Sequence, residues 1–306
     1  MSTPRVAIGP NVAPFAADAV VSGGGEVVGS GEPADAIVWL SPQDLPGLRS
    51  ALEAAPGVRW VQLPFAGVEA FVSTGMFHDG RIWTSAKGAY AEPVAEHALA
   101  LALAGLRDLK HRLSATTWGQ AAGTSLYDQD VVILGGGGIT ERLLELLAQF
   151  RVQATVVRRR AEPMPGAART VGVDQLLEVL PGALVVFLAL ALTPETTGII
   201  GARQLAAMDQ RAWLVNVARG GHVVTSELVE ALRGRVIAGA ALDVTDPEPL
   251  PDGHPLWSLP NCIITPHTAD TPEMVRPLLA ERIRTNVARF GAGDELVGLV
   301  DPRAGY

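Results

Sequence analysis

Residues 131–150 read VVILGGGGITERLLELLAQF: a β-branched apolar run, four glycines, then leucines at helical spacing. That order is strand, tight turn and helix, the unit around which a dinucleotide-binding sheet is built. Gly135 would permit the turn. Gly137 would let a pyrophosphate approach the backbone, and Gly138 and Ile139 would open the helix whose N-terminus faces it. The usual third glycine is Thr140, so the pattern is GxGxxT, and some local shift of helix against strand is expected there. Glycine-rich turns also merely join strands to helices, so the flanks must carry the reading.

The next strand, ATVV, runs into Arg158, Arg159 and Arg160. A carboxylate at this place, about 20 residues past the glycines, would bond the ribose hydroxyls of NAD. Guanidiniums instead suit a 2′-phosphate, although basic runs are commonly just solvated turns. Arg158 and Arg159 are therefore the candidate phosphate contacts, and NADP(H) is expected in preference to NAD(H).

Farther out, short β-branched runs alternate with helix-period segments almost throughout, the signature of parallel sheets wrapped by helices. Strands are expected at RVAIG, DAIVWL, VRWVQL and RIWTS in the first third, and at LVVFLA, AWLVNV, VIAGAALDV and CIITP after the glycine turn. Helices are expected at SPQDLPGLRSALEAA, ITERLLELLAQF, VGVDQLLEVL and TSELVEALRG, with a long apolar one from Glu92 to Leu113 and a closing one from Pro272 to Phe290. The length of 306 residues suits two domains.

With 48% hydrophobic residues and a net charge of −8, the chain reads as globular and offers no basic face for nucleic acid or an anionic membrane. No apolar run reaches the roughly 18 residues needed to span a bilayer. The N-terminal MSTPRVAIGP lacks a secretory pattern, and the lone Cys262 in an apolar stretch reads as a small core residue. A cytoplasmic protein is expected.

Three further stretches carry polar residues just after apolar runs: Arg219 in LVNVARGG, Glu248 in ALDVTDPEPLP and His267 in ITPHTAD. Arginine, carboxylate and histidine at strand ends are the groups needed to reduce a carbonyl beside a carboxylate. Arg219 would hold the acid, His267 would supply the proton, and Glu248 would favour the imidazolium. Each also has a plain reading as surface charge, loop polarity or helix cap; their joint occurrence favours catalysis. His97 reads as a hydrogen-bonded packing residue, and the remaining histidines show no carboxylate partner at an interpretable spacing. The set has no metal-ligand spacing, so no metal is expected.

Taken together, the glycine turn, LALTPETTGIIG, LVNVARGG, ALDVTDPEPLPDGHPLW and ITPHTAD resemble the D-isomer-specific 2-hydroxyacid dehydrogenases, and SAKGAYAEPVAEHALAL resembles that family's linking segment. The resemblance covers about Val58 to Val287. It implies two doubly wound α/β domains, with a Rossmann-type nucleotide domain (94–272) inserted into a flavodoxin-like substrate domain (1–93 plus 273–306), an active site in the cleft, and a homodimer.

The resemblance also implies catalytic roles for Arg219, Glu248 and His267. The backbone of Ala66, Gly67 and Val68 falls in the substrate-carboxylate loop, Asp243 near the nicotinamide amide, and Thr196, Val217 and Ala218 along the cofactor. Tyr90, just before the linking helix, is the best aromatic candidate for the substrate pocket. Ala191 stands where the family commonly has proline. PFAGVE looks most like the glyoxylate/hydroxypyruvate reductase branch, so a small 2-oxo acid is the expected substrate. A 3-phosphoglycerate dehydrogenase is the alternative enzyme, and a nucleotide-sensing corepressor is the alternative outside catalysis.

Overall fold

The computed structural model describes residues 3–29, 31–41, 44–68, 71 and 74–301. The chain divides into two compact units, 1–90 with 271–306, and 91–270.

In the second unit the sheet has seven parallel strands: β6 (Asp130–Leu134), β7 (Gln153–Val157), β8 (Arg169–Val171), β9 (Val185–Leu188), β10 (Trp213–Asn216), β11 (Gly239–Leu242) and β12 (Cys262–Ile264). Their order is β12-β11-β10-β9-β6-β7-β8. The order reverses between β6 and β9, and ligands of doubly wound sheets bind at the carboxyl ends of the strands beside such a switch point. Continuous apolar runs such as VVFL, all four residues buried, are what a sheet covered on both faces requires. Leu134, Val186, Leu214, Ala240 and Cys262 belong to one core that extends under the helices.

The glycine turn lies between β6 and the helix Gly138–Ala148. Gly135 has φ +116°, and a Cβ there would lie 2.1 Å from the Ala189 carbonyl oxygen, so only glycine fits. Thr140, in the place of a third glycine, is fully buried, and its hydroxyl donates to the Gly135 carbonyl at 3.1 Å. The added bulk thus ties the turn to the helix.

Within the first unit the strands are β1 (Arg5–Gly9), β2 (Glu26–Val28), β3 (Ala36–Trp39), β4 (Trp60–Gln62) and β5 (Ile82–Thr84), all parallel and ordered β2-β1-β3-β4-β5. The helix Pro272–Ala292 completes this unit from the far end of the chain. Its Asn286 is fully buried, donates to Gln62 Oε1 and the Val297 carbonyl at 2.9 Å, and accepts from Val297 N at 2.8 Å. A polar pair that is satisfied in this way fixes how the returning segment docks.

Two expectations about helices are corrected. The expected helix from Glu92 to Leu113 is a helix Ala91–Leu106 followed by a short one, Leu109–Leu113. Asp108 sits between them at φ +53°, a left-handed conformation that aspartate tolerates and a continuous helix does not. VGVDQLLEVL is helical only at Leu176–Val179, after a 3₁₀ turn, because Val171 is already taken by β8. Among the described residues no helix is long and apolar enough to cross a membrane.

Candidate active site

Arg219 follows β10, Glu248 follows β11 and His267 follows β12, three neighbouring parallel strands. Carboxyl ends of adjacent strands are the place where a sheet of this topology presents polar side chains without burying them.

His267 and Glu248 meet directly, with 2.6 Å between Nδ1 and Oε1. His267 has φ +51°, and its amide donates to the Asp243 carbonyl at 2.7 Å and to that of Thr265 at 2.9 Å. Histidine is among the residues that tolerate the left-handed region, and two backbone bonds hold it there. With Nδ1 on the carboxylate, Nε2 is the ring nitrogen left for a reacting group.

Arg219 is half-buried and donates from Nη1 to the Ala218 carbonyl at 2.7 Å. Asn216 holds its turn from below, donating to the Arg219 carbonyl at 2.9 Å and accepting from the Ala218 amide at 3.0 Å. A Cβ on Gly220 would fall 1.9 Å from the Thr245 carbonyl oxygen. The turn after Arg219 is therefore pressed against the loop that carries Glu248.

Asp243 lies beneath these loops, 2% exposed. Its carboxylate accepts from Thr265 Oγ1 at 2.6 Å and from the amides of Thr268 at 2.9 Å and Ala269 at 3.1 Å. His97 Nε2, on the helix Ala91–Leu106, lies 2.9 Å from Thr265 Oγ1 and 3.3 Å from Asp243 Oδ1. Burial would raise this carboxyl, but the hydrogen bonds from His97, Thr265, Thr268 and Ala269 outweigh it and hold it at about 2. Asp243 thus spends its oxygens on the segment bearing His267.

The sign of the acid response follows from that direction. The folded value lies below the ordinary 3.8, so ionised Asp243 stabilises the unit above pH 3.8, and this contribution is lost as pH falls through about 2. It amounts to about 2 kcal/mol. Urea unfolding measured across this window should show a shallower acid loss in Asp243→Asn than in wild type. Equal losses would remove the assignment.

No motif singles out Asp270, which is half-buried beside the site. Burial raises its carboxyl above the ordinary range and Asp243 adds to the rise, while His267 and Arg219 oppose it. Asp270 thus shares an electrostatic neighbourhood with both candidate catalytic cations. His97 is hydrogen-bonded as expected from the sequence, but its partners belong to the site. His111, read as lacking a carboxylate partner, has Asp108 Oδ2 at 3.1 Å.

On the nucleotide side, a Cβ at Gly137 would meet nothing, and no side chain caps the helix Gly138–Ala148. Uncapped amides facing open space behind a glycine turn fit a dinucleotide pyrophosphate. The Arg158 side chain lies across Gly136, whose Cβ would be 2.8 Å from Arg158 Nε. Arg159 is exposed and acts on the Glu195 carboxylate. The Thr196 hydroxyl is turned into its own loop, donating to Ala191 O and accepting from Thr193 N, both at 2.8 Å. Val217 and Ala218 are buried.

In the other unit, Ala66 is exposed, Gly67 half-buried and Val68 buried. Tyr90 is 7% exposed, and its hydroxyl donates to the Pro64 carbonyl, so it supports the 64–68 turn instead of offering an unoccupied hydroxyl. Among the described residues no group of three or more His, Cys, Asp or Glu side chains is placed to hold a metal ion.

The family profile described as D-isomer specific 2-hydroxyacid dehydrogenase, NAD binding domain, matches residues 97–269. The chain belongs to the D-isomer-specific 2-hydroxyacid dehydrogenase family. It is thus an NAD(P)-dependent oxidoreductase of the glyoxylate/hydroxypyruvate reductase A-like branch. A relative named glyoxylate/hydroxypyruvate reductase A, from Photorhabdus laumondii, is 30% identical over 89% of this chain and 87% of its own. An uncharacterized protein from Corynebacterium melassecola is 40% identical over 94% of this chain and 95% of its own. Among solved structures, a family member from Xanthobacter autotrophicus Py2, in complex with NADPH and MES, superposes with TM-score 0.84 at 27% identity, covering 100% of both chains. An NADPH-dependent glyoxylate/hydroxypyruvate reductase from Sinorhizobium meliloti, in complex with NADP and sulfate, gives TM-score 0.82 at 25% identity over 99% of this chain and all of that one.

Proposed function

We propose that this dehydrogenase reduces a small 2-oxo acid of the glyoxylate or hydroxypyruvate kind to the D-2-hydroxy acid, with NADPH preferred over NADH. The observation that carries the reading is the 2.6 Å His267–Glu248 pair, set at strand ends next to the strand that leads to Arg219. When bound, the nicotinamide supplies hydride to the 2-oxo carbon.

The chain's own groups do the rest. Arg219 takes the substrate carboxylate in the forked geometry that guanidinium allows. His267 Nε2 gives a proton to the oxygen as negative charge develops on it. Glu248, on Nδ1, fixes the ring's tautomer and stabilises the imidazolium before transfer. The family resemblance gives the backbone of Ala66, Gly67 and Val68 a share in the carboxylate. Asp243 is a positioning residue for the His267 segment.

For the cofactor, Gly135, Gly137, Gly138 and Ile139 form the pyrophosphate cradle, Thr196, Val217 and Ala218 flank it, and Arg158 and Arg159 take the 2′-phosphate. Arg158→Asp should lower the NADPH/NADH ratio of kcat/KM by at least about tenfold. An unchanged ratio would remove Arg158 from that role.

Leu113 at 84% and Trp118 at 99% exposure are unusual for large apolar side chains and support a homodimer formed through this segment. Sedimentation velocity should give twice the 32.0 kDa chain mass. A cytoplasmic setting is part of the same reading.

The direct test is NADPH and NADH oxidation with glyoxylate, hydroxypyruvate, pyruvate and 3-phosphohydroxypyruvate. Turnover fastest with the phosphorylated acid would favour the 3-phosphoglycerate dehydrogenase alternative. Tight nucleotide binding with no turnover on any acid would overturn the enzymatic reading in favour of a nucleotide sensor.

A further inference from the structure

His222 is fully buried in the 3₁₀ turn Gly220–His222, three residues after Arg219. Its two ring nitrogens both face backbone carbonyls, Nδ1 at 3.0 Å from Thr196 O and Nε2 at 3.2 Å from Leu190 O. A carbonyl oxygen only accepts. A neutral imidazole has one N–H and one bare nitrogen, so it can satisfy only one of these carbonyls and would set a lone pair against the other. Both contacts are hydrogen bonds only when the ring carries both protons.

The two carbonyls bracket the segment 190–196, which continues β9 at the switch point of the sheet. That segment starts beside Ala189, the residue that Gly135 approaches so closely that only glycine fits. It also carries Thr196. Backbone bonds already lace the following stretch to the turn: Gly198 N donates to Gly221 O at 2.8 Å, Ile200 N to His222 O at 3.0 Å and Val224 N to Ile200 O at 3.0 Å. None of these bonds reaches residues 190–196; the His222 ring does.

We propose that His222 is a buried imidazolium and a positioning residue, clamping the 190–196 wall of the nucleotide crevice to the turn that carries Arg219. The proposal rests on the nucleotide-binding reading above and deepens it. A buried cation is costly in isolation. Two carbonyl dipoles offset part of that cost, and an anionic dinucleotide beside the wall supplies charge of the opposite sign. The clamp joins cofactor and substrate sides physically, because one imidazole tethers both the loop bearing Thr196 and the turn next to Arg219.

Two measurements test this. In the first, full-length protein is labelled with ¹⁵N in its histidines, and the His222 signals are assigned by their loss in His222→Gln. Near neutral pH both ring nitrogens should resonate as protonated, each coupled to its own proton. A bare, pyridine-like nitrogen at His222 would overturn the imidazolium.

In the second, NADPH is titrated by fluorescence into wild type and His222→Gln, which sets an acceptor oxygen in place of one of the two ring donors. The expected Kd is about tenfold weaker in the variant, with kcat at saturating NADPH nearly retained. An unchanged Kd, or a fall in kcat without change in Kd, would overturn the clamp. Wild type that binds no NADPH would instead sink the cofactor reading, while the nitrogen spectrum still decides the state of His222.

Discussion

His267→Ala lowers kcat for 2-oxo acid reduction by about three orders of magnitude, while NADPH binds as it does to wild type. The size follows from what a positioned general acid contributes, roughly 10²–10⁴ in rate. Nucleotide affinity is spared because His267 sits after β12, whereas the glycine turn follows β6, on the other side of the intervening strands β11, β10 and β9. Glu248→Gln should show part of the same loss, since the amide cannot stabilise the imidazolium as the carboxylate does. Stopped-flow reduction with a single turnover of NADPH separates proton delivery from product release. A His267→Ala enzyme that retains wild-type single-turnover rates would leave the histidine without its proposed role.

Arg219→Lys lowers kcat/KM for the acid by about a hundredfold. Charge is conserved in this substitution, so the loss measures geometry. The guanidinium presents two parallel N–H bonds to a carboxylate, and lysine offers a point charge on a flexible stem. The turn is built to aim that fork: Asn216 ties both Ala218 and Arg219, and Gly220 lets the backbone press against Thr245. A 2-oxo substrate lacking the carboxylate provides the control, because wild type and Arg219→Lys should reduce it at similar rates. If the variant loses as much on that control as on the acid, Arg219 acts on something other than the carboxylate.

Much of the architecture is legible in the sequence because its signals are local. VVILGGGGITERLLELLAQF carries strand, turn and helix within twenty consecutive residues, and the buried strands are unbroken apolar runs. The helix Pro14–Ser22 escaped, and most else that did was short or non-local. β2 and β8 have three residues each and end their sheets, so neither needs the apolar pattern of a central strand. The break at Asp108 depends on a left-handed residue within an otherwise helical composition.

The site shows the same division. Arg219, Glu248 and His267 stood out by motif, and the structure brings the last two into contact. The support beneath them was invisible. His97 reaches Thr265 across 168 residues of chain, and His222 reaches Leu190 across 32. No periodicity or spacing rule links such pairs, because register and loop path decide them.

The first unit is written in two pieces, with residues 1–90 made before the second unit and 271–306 after it. On the ribosome, the contiguous residues 91–270 can therefore finish folding while the earlier piece still waits. During that interval Gln62 lacks Asn286, Ser85 lacks the Gly298 carbonyl that its amide bonds, and Trp60 lacks the Phe290 ring. The newborn protein must keep this open sheet from pairing with a neighbour until the helix Pro272–Ala292 emerges.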